Sequence, residues 1–216
     1  AQVALAHLMA VLKAGFLGPA AARFPPVCLA SGKRNNVTQA PTITTQRLTL
    51  RAHRASDFDA YADTFASDRA QFMGGPMARR KAWFAFCADI AQWSLFGHGA
   101  WGVERNKDGA FIGQVTIGKP PHFPEVELGW MLCDGAEGHG YAFEAATAAR
   151  DWAYVELGRD TLVSYIDAEN TRSIALAERL GAVVDPTAAT PDDEDCLVYR
   201  HPDPAALQDG GMEAYA

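Results

Sequence analysis

The alternation of hydrophobic and polar positions is irregular up to about residue 41 and regular beyond it. Thr45 to Arg51 alternates polar and apolar side chains, the period-two pattern of a half-buried strand. Ser56 stands as an N-cap before Asp57 and Asp59, so a helix is predicted to run to about Ser67. Gly74-Gly75-Pro76 interrupts the chain. A second helix is predicted from Ala78 to Leu95, with Trp83, Phe86, Ile90 and Trp93 as a core-facing stripe and Gly97 as its stop. The period then returns to two: Ala100 to Glu104 and Phe111 to Ile117 read as strands joined through Asn106-Lys107-Asp108-Gly109, and Val126 to Leu132 as a third strand. An Ala-rich helix follows Gly138 to Gly140, then a buried strand from Leu162 to Ile166. Thr171 to Leu180 is a helix closed by Gly181, and Cys196 to Tyr199 is the last strand.

This order, strand, two helices, three strands, helix, strand, helix, strand, predicts an α+β (mixed α/β) fold. Its sheet is mixed and mainly antiparallel, with helices on both faces. The meander is antiparallel, whereas the unit from Val126 to Ile166 has room for a parallel crossover. Three segments are expected: an N-terminal extension over 1–41, poorly ordered or a short helix, a single domain over 42–204, and a tail over 205–216. The apolar run Val3 to Leu12 has only a weak likeness to a secretory segment, because Lys13 lies on its wrong side.

Composition changes this picture little. The 216 residues are 49% hydrophobic and 21% charged, an ordinary globular balance, and the formal charge of -7 argues against a nucleic-acid partner. The cysteines Cys28, Cys87, Cys133 and Cys196 are widely spaced, which suggests reduced, metal-free thiols and a cytoplasmic protein. No run of about 20 apolar residues predicts a membrane partner.

The chemistry concentrates where Trp130-Met131-Leu132 runs through Cys133 to Glu137 into Gly138-His139-Gly140-Tyr141-Ala142. A strand entering a Gly-rich loop and then a helix directs free backbone amides and a positive dipole end at one point, a geometry suited to a diphosphate. Phe143 occupies the place of the third glycine of a dinucleotide fingerprint, and no Gly-Lys-Ser/Thr run occurs, so neither of those phosphate motifs applies.

These residues, with Glu127-Leu128-Gly129-Trp130, Asn170-Thr171-Arg172-Ser173, Glu178-Arg179-Leu180-Gly181-Ala182 and Gln46-Arg47-Leu48-Thr49-Leu50-Arg51, resemble the GNAT superfamily of acyl-CoA N-acyltransferases, in its RimJ/RimL-like branch. The resemblance covers about residues 44 to 202. It implies a sheet with a V-shaped split holding acetyl-CoA, and a primary-amine acceptor that is either a small molecule or a protein N-terminus. It requires no metal and is compatible with a homodimer. Backbone groups of Met131 and Leu132 would meet the pantetheine arm, and amides of Gly138, His139, Gly140, Tyr141 and Ala142 the diphosphate. Asn170 is either a helix cap or a cofactor contact. The turn Phe72 to Pro76, and His98, would border the acceptor pocket.

Aminolysis of a thioester needs a base for the amine proton. Period two places Glu127 on the face shared with Gly129 and Met131, which makes it the leading base, with Glu125 behind it. Gly129 suggests a bulge or a close approach. The position where many superfamily members carry an acidic Tyr is Ala177, so Ser173 is the polar candidate near the leaving sulfur, or a simple cap. Glu137 and His139 depart from the usual Gln or Arg and basic residue of the loop. The missing Tyr and Glu137 together leave open a second reading, a catalytically silent acyl-CoA-binding module.

Overall fold

A computed structural model describes residues 39–205 of the chain; residues 1–38 of the N-terminal extension and all but the start of the tail lie outside the described residues. The strands are β1 (Ile43–Thr44), β2 (Leu48–Arg51), β3 (Ala100–Arg105), β4 (Ala110–Gly118), β5 (Glu127–Leu132), β6 (Val163–Ile166), β7 (Val183–Val184) and β8 (Leu197–Arg200). The helices are α1 (Phe58–Ala66), α2 (Arg79–Phe96), α3 (Tyr141–Val155) and α4 (Thr171–Arg179). All eight strands form one sheet in the order β1-β2-β3-β4-β5-β6-β8-β7, and only β5 and β6 are parallel neighbours. The mixed, mainly antiparallel sheet expected from the element order is therefore the observed one.

Helices cover both faces. Leu128 joins α3 residues Ala145, Ala146, Ala149 and Ala153 in one cluster, while Met131, of opposite parity, joins Tyr61, Phe65 and Phe86 of α1 and α2 in another. Small residues on α3 let the helix lie close to the strands. Trp93, Trp101 and Trp152 close the first cluster edge to face, with ring centroids 4.6 to 5.6 Å apart.

Four local expectations are corrected. The strand foreseen over Thr45 to Arg51 begins only at Leu48, with the short β1 ahead of it, because Thr45 folds into a turn: its amide donates to Leu48 O (2.8 Å) and its hydroxyl accepts from Leu48 N (3.0 Å). Ser56 lies inside a 3-10 turn and caps nothing. Asp57 makes no side-chain cap to α1 either; it closes the 3-10 turn, accepting from the Arg54 amide (2.8 Å), and is held by both arms of Arg51 (2.8 and 2.9 Å). Burial works to raise the Asp57 carboxyl, but His53, Arg51 and the Arg54 amide hold it far below its usual range. Trp83 leaves the predicted core stripe: it is 44% exposed and packs on Phe58 with centroids 4.9 Å apart, whereas Phe86 and Trp93 are buried. The register between β4 and β5 runs unbroken from Gly113–Leu132 to Gly118–Glu127, with Gly129 opposite Thr116, so Gly129 marks no bulge on that edge. The register shift lies one strand away, between Val103 and Glu104 of β3.

Two buried histidines outside the candidate site give the fold a pH signature. Burial pushes His98 down to about 4 and His201 down to about 3. Both are therefore neutral in the fold, while the unfolded chain takes up protons below about 6.5. Stability must fall as pH drops from 6.5 towards 4.5, before the ion-paired carboxylates begin to lose theirs; the buried Asp89 carboxyl, raised by burial, works in the opposite direction. Each histidine is expected to remove about 1–2 kcal/mol between pH 7 and pH 5. Denaturant unfolding at the two pH values, with His98→Gln and His201→Gln each flattening the difference, checks this.

Candidate active site

The site grows from a strand pair that separates. β5 and β6 match only at Glu127 and Val163, where the Val163 amide donates to Val126 O (3.0 Å). One residue further on, the Ser164 hydroxyl donates to Leu128 O (2.6 Å), and its oxygen lies 2.9 Å from His201 Nε2. With its proton on Leu128 O, Ser164 accepts from the imidazole Nε2–H. Beyond this pinned apex the strands diverge around a cleft of about 590 Å³, lined by Leu128 to Leu132 on one side and Ser164 to Ile166 on the other.

Hydrogen bonding alternates along an antiparallel pair. The Cys133 amide donates to Ile112 O (2.9 Å), so the backbone of Met131, two residues back, is also turned to β4. Leu128, Trp130 and Leu132 are left with their backbone groups on the β6 side. Met131 lines the cleft, while its backbone, foreseen beside a pantetheine arm, is turned to β4. Leu132 faces the cleft, and its carbonyl accepts from Arg69 Nη2 (3.2 Å).

The far end of the cleft is the start of α3. Gly138 and Gly140 have φ of 78° and 76°, conformations a side chain resists, and Gly140 is the N-cap without any side-chain capping bond. The first intrahelical bond runs from Glu144 N to Gly140 O (3.1 Å), so the amides of Tyr141, Ala142 and Phe143 have no acceptor within the helix. Gly138, Gly140, Tyr141, Ala142 and Phe143 all line the cleft. His139 does not: its ring is exposed beside Tyr141 (centroids 5.5 Å apart), and its carbonyl accepts from Arg47 Nη1 (2.8 Å).

Charge at this end was missed in the sequence. Arg69, Arg172 and Arg179 line the cleft, and Arg179 also lies 4.1 Å over the Phe143 ring. Glu137, which looked like an unfavourable charge beside a diphosphate, is ion-paired with Arg69 and lies 3.9 Å from Arg172. Burial works to raise its carboxyl, but its own amide and Arg69 bring it below the usual range. The seven-residue spacing of Arg172 and Arg179 on one helix was the available signal. Nothing in sequence tied Arg69 to Glu137.

Asn170 and Ser173 both line the cleft, and Asn170 is also the cap of α4, its Oδ1 accepting from the Ser173 amide (3.2 Å). Phe72 and Met73 reach the cleft as the loop position suggested. His98 does not; it is buried with Nδ1 on Ile117 O (2.8 Å). Glu125 is engaged structurally by both arms of Arg200 (2.8 and 2.9 Å).

Glu127 is 4% exposed and lies off the main cleft, at the apex. It borders a side pocket of about 40 Å³ with Asp89, Gln92, Gln114 and Thr116, and that pocket shares Met73, Trp130 and Met131 with the cleft. Asp89 and Gln114 had no role in the sequence reading.

A diverging parallel pair, free amides at a helix start and a cationic mouth together fit a long ligand ending in a diphosphate. Residues 47–183 match the family model described as "Acetyltransferase (GNAT) domain". The chain belongs to the GNAT acetyltransferase family. An acetyltransferase structure from Agrobacterium tumefaciens str. C58 is 48% identical to the GNAT chain described here, covers 80% of it and 100% of its own length, and superposes with a TM-score of 0.73. Mycobacterium smegmatis RimJ in complex with CoA-disulfide has the same fold at 21% identity and a TM-score of 0.54, over 71% of this chain and 80% of its own. The uncharacterized protein YkkB of Bacillus subtilis (strain 168) is 34% identical over 89 residues, 40% of this chain, and the match spans about half (51%) of that relative's length. Among the described residues no group of three or more His, Cys, Asp or Glu could hold a metal ion, and no helix is long and apolar enough to cross a membrane.

The Asn170 cap predicts a separable effect. Asn170→Ala is expected to lower stability by about 1 kcal/mol through loss of the α4 cap, while Ser173→Ala changes it by less than about 0.5 kcal/mol. Denaturant midpoints of the two variants measure the difference.

Proposed function

We propose that this protein is an N-acetyltransferase that moves an acetyl group from acetyl-CoA to a primary amine. The observation that carries the reading is the parting of β5 and β6 into a cleft whose far end is the uncapped start of α3. The residues present fit the donor. The amides of Tyr141 to Phe143, with Arg172 and Arg179, suit a diphosphate, and the outward backbone edge at Trp130 and Leu132 suits the amides of a pantetheine arm. When bound, acetyl-CoA supplies a thioester whose carbonyl carbon exchanges its bond to sulfur for one to the amine nitrogen, releasing CoA thiol.

Glu127 takes the amine proton, directly or through one water. Its place at the apex puts it beside Trp130 and Met131, the residues common to the side pocket and the cleft. Asn170 shapes the wall and Ser173 offers a hydroxyl near the sulfur. Ala177 is fully buried where many relatives carry an acidic Tyr, so CoA leaves as a thiolate protonated by solvent. That same buried Ala177 favours the silent-module reading as the rival.

Calorimetry with acetyl-CoA and a thiol-release assay over alkylamines and Ala- or Ser-initiated peptides separate the two. The enzyme reading expects binding together with thiol release for at least one amine; binding without release on any amine marks the silent module. Glu127→Gln is expected to bind acetyl-CoA as the parent does while turnover falls about 10²- to 10³-fold at neutral pH. Full turnover in that variant removes the role assigned to Glu127.

A further inference from the structure

Two parallel strands that have matched once gain further backbone hydrogen bonds at each following step, so the early parting of β5 and β6 needs a cause. Along β6 the edges alternate. Leu162 O accepts from His201 N on the β8 side (2.9 Å), whereas Val163 N donates on the β5 side, to Val126 O (3.0 Å). Tyr165 has the parity of Val163, so its amide is turned towards β5 and the cleft that it lines. In a continued parallel ladder this amide donates to Leu128 O. The match between β5 and β6 ends at Glu127 and Val163, so that rung is not made.

Leu128 O is held by a side chain instead. The Ser164 hydroxyl donates to it (2.6 Å) from the residue just before Tyr165, and both Ser164 and His201 are buried. A hydroxyl has one proton and a carbonyl only accepts, so His201 Nε2–H fills the Ser164 oxygen (2.9 Å). His201 Nδ1 is then the bare ring nitrogen, and it has no hydrogen-bond partner among the described residues. On packing grounds a serine is a poor choice here. Val163, Tyr165 and Ile166 are the β-branched and aromatic types that strands favour, whereas the hydroxyl brings a polar group into the core. What it does is satisfy the carbonyl, which removes most of the gain that would draw the Tyr165 amide across. The cleft edge of β5 is treated alike at its other end, where Arg69 Nη2 donates to Leu132 O (3.2 Å).

We propose that Ser164 is a positioning residue that stops the β5–β6 ladder, its hydroxyl occupying the carbonyl that the next rung needs, and so holds the acyl-CoA cleft open down to Glu127. Without that hydroxyl the rung from Tyr165 to Leu128 forms, and the parting starts one rung further along β5, away from the residue assigned to take the amine proton. A donor must then break a backbone hydrogen bond before it reaches the apex. The proposal rests on the acetyltransferase reading for the ligand alone; the stopped ladder is a property of the free chain.

Residue-resolved amide hydrogen exchange of the ligand-free full chain is the first arm of the test. Ser164→Ala is expected to slow exchange at the Tyr165 amide about tenfold or more, whereas Ser164→Thr, which keeps the hydroxyl, leaves it as in the parent. His201→Phe is the control: it loses the same bond between Ser164 and His201 but keeps the hydroxyl on Leu128 O, so Tyr165 exchanges as in the parent. Calorimetry with acetyl-CoA is the second arm. Binding is expected to weaken about tenfold in Ser164→Ala, equivalent to about 1.4 kcal/mol or one backbone hydrogen bond, and to stay within about threefold in the other two. A serine with a structural role alone makes Ser164→Ala and His201→Phe alike in both arms. If Ser164→Ala does not fold, combining it with His201→Phe removes the donor left without a partner and carries the same expectations. Unchanged exchange at Tyr165 in Ser164→Ala, parent-like acetyl-CoA binding in it, or either of the other variants behaving as it does overturns the proposal. A parent chain that binds no acetyl-CoA defeats the transferase reading, and the exchange arm alone then decides the stop.

Discussion

A parallel strand pair with a single matched position is the constraint on which the rest of the molecule depends. Val163 meets Glu127 and then β6 leaves β5, so the backbone groups of Leu128, Trp130 and Leu132 that a neighbouring strand would satisfy face a cleft instead. Unpaired backbone in a sheet interior is costly unless something satisfies it. The chain meets part of this locally, with Ser164 on Leu128 O and Arg69 on Leu132 O, and keeps the middle of the strand for a ligand. On its other edge β5 is held rigidly by β4 in continuous register, so the parting cannot be closed by sliding β5. A side chain at Gly113 would collide with the Met131 carbonyl, which shows how close these two strands run.

The charge pattern follows from the same geometry. A chain of net charge -7 binds a polyanion only by local arrangement, and the cleft gathers Arg69, Arg172 and Arg179 at the end where α3 presents its free amides. Arg69 serves three purposes at once: it pairs Glu137, lies 3.6 Å from Asp134 and donates to Leu132 O. At the opposite end of the cleft, the apex gathers Asp89 and Glu127. The cleft therefore carries arginines at the helix-start end and the carboxyl groups of Asp89 and Glu127 at the apex, with the apolar Met131 and Trp130 between.

Much of the fold was legible in the sequence because it is written in local periods. The alternation in β3, β4 and β5, the Asp108-Gly109 turn, the glycines of the loop before α3 and the Gly97 and Gly181 stops are properties of a few adjacent residues. The errors are equally instructive. Thr45 shortened a strand because its hydroxyl competes for the backbone, Ser56 capped nothing because Asp57, held by Arg51 from β2, closes the turn on the Arg54 amide, and β7 escaped notice because two exposed valines carry no period.

The sequence by itself determined the element order, the phosphate-type loop, the family and the presence of Glu127 on a strand face, since each depends on neighbours within about one turn or one strand. Only the tertiary structure decided that the backbone of Met131 pairs with β4, that Glu137 is neutralised, and that Asp89, Gln114 and Glu127 surround one pocket. Those outcomes depend on which strand edges pair and on which side chains, distant along the chain, come within hydrogen-bonding distance. No local pattern of hydrophobic and polar positions records that information.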